Sequence, residues 1–386
     1  MKLCIVTGSR AEFFILKNLI TKIQKNKNFK QNLLVTGTHN SKFFGSTIKD
    51  IKKNGVTIHG IINLNINGDN SLDIAKYLSI GIQKFSQKFA KIRPDFLLVL
   101  GDRYEIFSAV ISAYLNNIPI GHIYGGEITQ GSLDENIRHS ITKFSNLHFV
   151  STKKYYDRVK QLGEDKKKIF NVGSMGVESI KNHRVIKKKD LEKLLNIKFN
   201  EKNILMTFHP ETTKDQKENI LNLKKCLNCL KKLENTSIII TMPGADQHYK
   251  MIYKLLKKFT QKNKNVFLFK SLGHDNYFSI CRVVDFMIGN SSSGIIEMPS
   301  FKKPTIDLGI RQLGRIKAKS TINVDFNEKK ITSAINKALS KKFKKSLLKV
   351  VNPYEKKNSS DRIITILRRT NFRKLQSKNF FDYKII

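Results

Sequence analysis

Short apolar runs rich in β-branched residues alternate with longer amphipathic stretches from one end of the chain to the other, and this pattern excludes most architectures. In the first half the runs are Lys2–Thr7, Asn32–Thr36, Thr57–Asn63, Asp95–Leu100, Ile118–Ile123, Leu147–Ser151 and Ile169–Val172. Helical periodicity fills the gaps at Glu12–Gln24, Leu72–Lys91, Tyr104–Asn116 and Leu133–Phe144. A second series follows: Asn203–Phe208, Ser237–Met242, Val266–Phe269, Phe286–Ile288, Thr305–Asp307 and Ile322–Phe326, with helical stretches at Lys214–Leu233, Gln247–Lys262 and Lys329–Leu339. Continuous apolar strands separated by helices are buried on both faces, which is the condition of a parallel sheet. At 386 residues and 44.4 kDa the chain exceeds one ordinary core. Two doubly wound α/β domains with a ligand cleft between them are therefore expected. The Lys-rich stretch 175–202, poor in strand signal, is read as the hinge.

In open parallel sheets, ligands bind beyond the carboxyl ends of the strands. The unusual polar residues fall there repeatedly. The first strand runs into Thr7-Gly8-Ser9-Arg10, a tight turn at a helix start with a cation suited to a phosphate. Asp95–Leu100 runs into Gly101-Asp102-Arg103-Tyr104-Glu105. There Asp102 suits either a helix cap or an acid/base carboxylate. Ile118–Ile123 leads to Tyr124-Gly125-Gly126-Glu127, whose paired glycines suit a close backbone approach. Asp134 and Arg138 are spaced for one helix face, as a surface ion pair or as site residues.

In the second half, His209-Pro210-Glu211-Thr212 and Pro243-Gly244-Ala245-Asp246 each follow a strand. Phe286–Ile288 ends in Gly289-Asn290-Ser291-Ser292-Ser293-Gly294, three hydroxyls and a glycine that suit an oxyanion, with Glu297 placed for a sugar diol. Arg311 and Arg315 add cations shortly after.

The charge is the one anomaly: 71 Lys+Arg against 31 Asp+Glu, +40 net. Of the 71, 58 are Lys spread through nearly every helical stretch, whereas recognition surfaces favour clustered Arg. A solvated basic surface is expected, with no nucleic-acid partner. No apolar run approaches the roughly 20 residues of a membrane span. Met1–Arg10 lacks the pattern of a signal peptide. Four Cys make no disulfide framework, so a cytoplasmic setting is expected. Cys226 and Cys229 have metal-ligand spacing but sit in a Lys/Leu-periodic helix without a second pair. The nine His show no ligand spacing and no dinucleotide fingerprint occurs, so neither metal nor cofactor is expected.

The motifs TGSRAE, GDRYE, HIYGGEITQGSLDENIRHSITK, FHPET, MPGAD, GNSSSGIIEMPS and IRQLGR, in this order over roughly residues 1–370, resemble the hydrolysing UDP-N-acetylglucosamine 2-epimerase family. The resemblance implies two Rossmann-like domains of the glycosyltransferase-B type. It divides the chain into an N-terminal domain 1–175, a nucleotide-binding domain 176–355, and a helical segment 356–386 crossing back to the first. It implies elimination of UDP to a 2-acetamidoglucal, then rehydration to the free 2-epimer, without cofactor, in sialic-type acid biosynthesis. A soluble homodimer with a nucleotide-sugar substrate and no membrane partner is expected.

The catalytic candidates are Asp102, Glu127, Asp134, Arg138 and His209, of which all but Glu127 match the family by resemblance. The resemblance makes Arg10, Ser292, Ser293, Gly294 and Glu297 nucleotide contacts, and Tyr124, Ser291, Arg311 and Arg315, beside the same motifs, complete the expected substrate and nucleotide contacts. One departure matters: Tyr124 stands where some family members carry a catalytic Glu, with Glu127 as candidate stand-in. UDP-N-acetylglucosamine is the first-ranked substrate, as the family's commonest. A UDP- or GDP-linked 2,4-diacetamido-2,4,6-trideoxyglucose of the legionaminic acid branch, which can lack that Glu, is the second. A glycosyltransferase of the same architecture, a basic RNA- or membrane-surface-binding protein, and a non-hydrolysing epimerase that returns the nucleotide sugar intact are the remaining alternatives.

Overall fold

A computed structural model describes residues 1–45, 47–375 and 377–383. The chain divides into two compact units: the first comprises 1–127, 134–179 and the described residues from 354 onward, the second 128–133 and 180–353. The first holds a seven-stranded sheet of β1 (Lys2–Thr7), β2 (Lys30–Val35), β3 (Gly60–Ile61), β4 (Phe96–Leu100), β5 (Ile120–Ile123), β6 (Leu147–Val150) and β7 (Ile169–Asn171). Every pairing is parallel and the order is β3-β2-β1-β4-β5-β6-β7. The second holds β8 (Lys202–Thr207), β9 (Thr236–Thr241), β10 (Val266–Phe269), β11 (Phe286–Gly289), β12 (Thr305–Leu308) and β13 (Thr321–Val324). These are again all parallel, in the order β10-β9-β8-β11-β12-β13. The strand order reverses between β1 and β4 in one sheet and between β8 and β11 in the other. Those are the crevices where a doubly wound sheet takes its ligand.

Both sheets carry apolar layers on each face, as continuous apolar strands require. Leu3, Ile5, Leu33, Val35, Phe96 and Leu98 pack on one face of the first sheet, and Cys4, Val6, Leu34, Leu97 and Val99 on the other. Cys226 and Cys229 are buried, unpaired core thiols of the helix Gln216–Lys231.

Three expectations change. The strand expected over Thr57–Asn63 shrinks to Gly60–Ile61, because His59 Nδ1 accepts the Leu33 N–H at 3.1 Å, a donor that a longer ladder would use. The stretch 175–202 is not a bare linker but holds the helices Met175–Asn182 and Lys188–Leu195. Leu191, Ile197 and Phe199 are apolar enough to join the buried layer of Leu205 and Ile280. Helices Lys153–Gln161 and His274–Val283 also form where the periodicity was too short or too polar to announce them. Among the described residues no helix is long and apolar enough to cross a membrane.

Residues 377–383 return to the first unit's own sheet connections. Lys378 Nζ donates to the carbonyls of Thr142 (3.3 Å), Lys143 (2.5 Å) and Ser145 (2.7 Å), the carboxyl end of the helix Asp134–Phe144. It also pairs with buried Glu164 at 2.8 Å. Glu164 further holds His148 (3.0 Å) and Lys143 (2.8 Å). Burial alone would raise its carboxyl, but His148, then Lys143 and Lys378, keep it down at about 2. A cation on the last carbonyls of a helix stabilises it by up to about 2 kcal/mol when partly buried. Lys378→Met should therefore speed amide hydrogen exchange over 138–144, while exchange in β1 and β2 stays unchanged.

Candidate active site

In the first unit the chemistry gathers where β1, β4 and β5 end. Ser9 caps the helix Arg10–Gln24, its Oγ accepting the Glu12 N–H at 3.3 Å. Glu12 turns back to accept the Gly8 N–H at 2.7 Å. Arg10 forms an ion pair with Asp50 of the helix Ile48–Lys53, both side chains remaining partly exposed.

Beyond β4, Arg138 organises the turn. Among the described residues it is the largest fully buried side chain. Its guanidinium pairs with Asp102, donates to Glu135 Oε2 at 3.1 Å, and donates to the Glu127 carbonyl at 3.0 Å. A planar fork serves three acceptors in this way where an ammonium could not. Asp102, with 20% of its side chain exposed, keeps an accessible carboxylate. The helix Tyr104–Leu115 is capped at Arg103 without a side-chain bond, so Asp102 is not its cap. Nor is Arg138 part of a surface ion pair.

His122 on β5 lies beneath this turn. Its Nε2 is 2.8 Å from the Gly101 carbonyl and its Nδ1 3.0 Å from Thr142 Oγ1. A carbonyl only accepts, so Nε2 carries the proton. Burial brings the ring down to about 3, which keeps it neutral. His122 thereby ties the peptide preceding Asp102 to the helix that carries Arg138.

Tyr124 adopts φ +72°, a left-handed conformation that bulky residues rarely take. Its hydroxyl pairs with Ser174 Oγ at 2.8 Å and accepts the Gly176 N–H at 3.1 Å. Glu127 is buried and accepts from Ser151 Oγ at 3.0 Å. Asp134 begins the helix Asp134–Phe144, four residues ahead of Arg138.

In the second unit the ends of β8, β9 and β11 converge. The Asn290 side chain clamps the His209 backbone, accepting its N–H at 2.7 Å and donating to its carbonyl at 2.8 Å. His209 Nδ1 is 3.0 Å from Asp246 Oδ2. The Gly244 N–H also addresses this Nδ1, at 3.3 Å, so the Asp246 carboxylate and a backbone donor together hold that edge of the ring. Arg311 lies 3.6 Å from the same carboxylate and donates to the Asn290 carbonyl at 3.2 Å. Fully buried Glu211 fixes the Arg311 backbone by accepting the N–H groups of Ile310 (2.6 Å) and Arg311 (3.1 Å). Arg315 follows on the same loop, its N–H 3.4 Å from the Gln312 carbonyl.

Of the three serines, Ser291 caps the short helix Ser292–Ile296 through the Ser293 N–H, and Ser293 Oγ accepts the Tyr277 hydroxyl at 2.6 Å. Two of the three hydroxyls thus serve local structure as well as any ligand. Gly294 lies against β12, where a Cβ would come within 2.6 Å of Thr305 Cγ2. Glu297 closes the short helix and is buried.

The sequence pattern of the UDP-N-acetylglucosamine 2-epimerase family matches residues 21–368. The chain belongs to this family. It is 40% identical over 385 residues, 99% of each chain, to the GDP/UDP-N,N'-diacetylbacillosamine 2-epimerase (hydrolyzing) of Campylobacter jejuni. It is 36% identical over 386 residues, 99% of this chain and 97% of the other, to polysialic acid biosynthesis protein P7 of Escherichia coli. The UDP-GlcNAc 2-epimerase of Neisseria meningitidis bound to UDP-GlcNAc has the same fold. Its TM-score is 0.77 at 21% identity, covering 96% of this chain and 100% of that one.

In this 2-epimerase chain the structure brings Asp102, Arg138 and the Glu127 carbonyl into one cluster, and His209 and Arg311 onto Asp246. It places Tyr124 in the protein's own hydrogen bonds. Sequence reading missed Glu12, Glu105, His122, Glu211, Asp246 and Asn290 as site residues. Each stands inside a recognised motif, but only the strand order shows which motif faces which.

Proposed function

We propose that this family member is a hydrolysing 2-epimerase of a nucleotide-linked 2,4-diacetamido-2,4,6-trideoxyhexose, N,N'-diacetylbacillosamine. It would release UDP or GDP and the free sugar inverted at C2. The observation that carries the substrate is the 40% identity over 99% of both chains to an enzyme named for that sugar. Tyr124 points the same way, since its hydroxyl is held by Ser174 and Gly176 and no carboxylate stands there. This reverses the order of substrates expected from sequence. UDP-N-acetylglucosamine is the second reading, favoured by 32% identity over 340 residues to the UDP-N-acetylglucosamine 2-epimerase of Neisseria meningitidis.

The proposed chemistry has two steps. Asp102 removes the C2 proton as the bond from C1 to the diphosphate oxygen breaks, leaving a C1–C2 double bond in the sugar. Water then adds, its oxygen to C1 and a proton to C2 from the opposite face. Arg138 holds the Asp102 carboxylate from behind, so the oxygen facing the sugar is placed without a rotamer search. Asp134 is assigned to the rehydration, and Glu127, bonded to Ser151, to positioning. Leaving-group charge needs cations and N–H donors aimed at the diphosphate. Arg311, held at backbone and side chain, His209 and Ser292 are assigned to it, with Arg10, Arg315, Gly294 and Glu297 as further nucleotide contacts.

The test incubates the protein in D₂O with UDP- and GDP-linked N,N'-diacetylbacillosamine and with UDP-N-acetylglucosamine in parallel. The expected result is nucleotide release with one deuterium at C2 of the free sugar, fastest for a diacetamido substrate. Faster turnover of UDP-N-acetylglucosamine would select the second reading. Nucleotide release without label at C2 would rule out elimination, and release only with an added acceptor would mark a glycosyltransferase.

A further inference from the structure

Two buried carboxylates under the Gly8–Arg10 turn have no assigned task. Glu12 and Glu105 are 7% and 0% exposed. Glu12 takes its contacts from neutral groups, the Gly8 N–H at 2.7 Å and the Ser9 hydroxyl at 3.2 Å. Glu105 takes the Arg103 Nε at 2.8 Å, and its Oε2 is buried without a hydrogen-bond partner. The site is tightly packed. A Cβ on Gly8 would come within 2.6 Å of Glu105 Cγ, and one on Gly37 within 2.3 Å of the Gly8 carbonyl and 2.9 Å of Glu105 Oε1.

The charge count does not balance if both acids ionise. Glu105 and Arg103, from the β4 exit, are the charged groups that act on Glu12. Behind the turn, His39 sits between Thr7 Oγ1 (3.1 Å) and Thr47 Oγ1 (2.5 Å), and burial and then Arg10 hold its ring down at about 3, so it is neutral. Arg10 itself is matched by Asp50. The Arg103 guanidinium is thus paired with Glu105, and Glu12 is left buried on neutral donors alone, where an unmatched charge is costly. A shared proton settles the count, and it belongs on the acid that lacks the cation.

We infer that Glu12 and Glu105 form a one-proton pair, Glu12 neutral and Glu105 charged. This pair sets the turns that carry Arg10 and the Asp102–Arg103 segment. Burial, and then the Glu105 charge, push the Glu12 carboxyl up to about 8, in agreement with the geometry. Both glutamates are positioning residues, acting through Gly8 and Arg103. The inference rests on the proposed reaction only where activity is read; the proton itself is read without substrate.

The experiment uses the full chain with Ala and Gln at each position. Glu12→Ala should lower kcat/KM by up to about a hundredfold, as sub-ångström misplacement does. Glu12→Gln, which copies the neutral acid, should restore most of that loss at neutral pH and abolish the alkaline decline near the Glu12 titration. Glu105→Gln should not rescue Glu105→Ala, because Arg103 then lacks its anion.

In isotope-edited infrared spectra of chain labelled at the Glu carboxyls, a protonated-carboxyl band should be present at neutral pH in the wild type and missing in Glu12→Gln. A wild-type spectrum without that band, or one that Glu12→Gln leaves unchanged, would overturn the pair, as would rescue by Gln at Glu105 but not at Glu12. If the Glu105 variants do not fold, the infrared comparison still decides. If no nucleotide sugar is turned over, the functional reading fails and the spectra judge the pair alone.

Discussion

Asp102→Asn is expected to lower turnover by about two to four orders of magnitude, the range a positioned general base supplies, while leaving the protein folded and KM little changed. The geometry separates the two effects. Arg138 keeps Glu135 at 3.1 Å and the Glu127 carbonyl at 3.0 Å when the Asp102 charge is removed. An amide oxygen of the same shape can still accept from the guanidinium. What disappears is the basic carboxylate oxygen, which nothing else on the β4 turn replaces: Glu105 is buried and committed to Arg103. The measurement is wash-in of deuterium at C2 alongside nucleotide release. Both should fall together, since proton removal and departure of the diphosphate belong to one step. Wild-type label incorporation in Asp102→Asn would move the base elsewhere, and Asp134 would be the next carboxylate to replace.

The stability counterpart of the carboxyl pair has a definite sign. The Glu12 pKa is raised by folding, so its contribution is fully present below the ordinary carboxylate range, near 4.5, and is lost as pH rises to about 8. In that window the folded chain holds a proton that the unfolded chain has given up. Wild-type stability should therefore decline with pH relative to Glu12→Gln, with the difference measured as the gap between their melting temperatures across the range.

Legibility followed the range of the interaction. β1 and β10 were read to the residue, because a continuous apolar run bounded by polar residues announces itself locally. The exits of β1, β4, β8 and β11 were readable as places where polar residues collect. Their pairing was not, since that depends on the parallel ladders that set β4 beside β1 and β11 beside β8. Glu12 illustrates the gap. In sequence it is a first-turn acid, favourable at a helix start for reasons of dipole alone. In space it is buried against the same Gly8 turn as Glu105, more than ninety residues on. The serines illustrate the reverse: three hydroxyls in a row suggest an anion site, yet Ser291 caps its own helix and Ser293 accepts from Tyr277. Tyr124 was legible as a substitution but not as a hydrogen-bonded strut, because Ser174 and Gly176 lie beyond β7.

Arg138→Met is expected to be the most destabilising single change at the site, for reasons distinct from catalysis. Removing one member of a buried ion pair typically costs about 3–5 kcal/mol, because the partner is left charged. Here Asp102 and Glu135 each keep 20% of their side chains in contact with water. Partial hydration and screening soften that penalty, so the loss belongs near the lower end, about 3 kcal/mol. The Glu127 carbonyl loses its donor as well.

Arg138→Lys should recover only part of this, since one ammonium cannot span Asp102, Glu135 and the carbonyl with the geometry of the fork. The decisive comparison is the double variant Asp102→Asn/Arg138→Met, followed by the urea-unfolding midpoint. If the cost is mainly the orphaned carboxylate, the double variant should be more stable than Arg138→Met alone, giving a coupling of the sign expected for contacting charges. It should remain inactive, because the base is gone. Equal stability of Arg138→Met and the double variant would instead assign the loss to the cavity left by this large, fully buried side chain, and the electrostatic account of the cluster would fail.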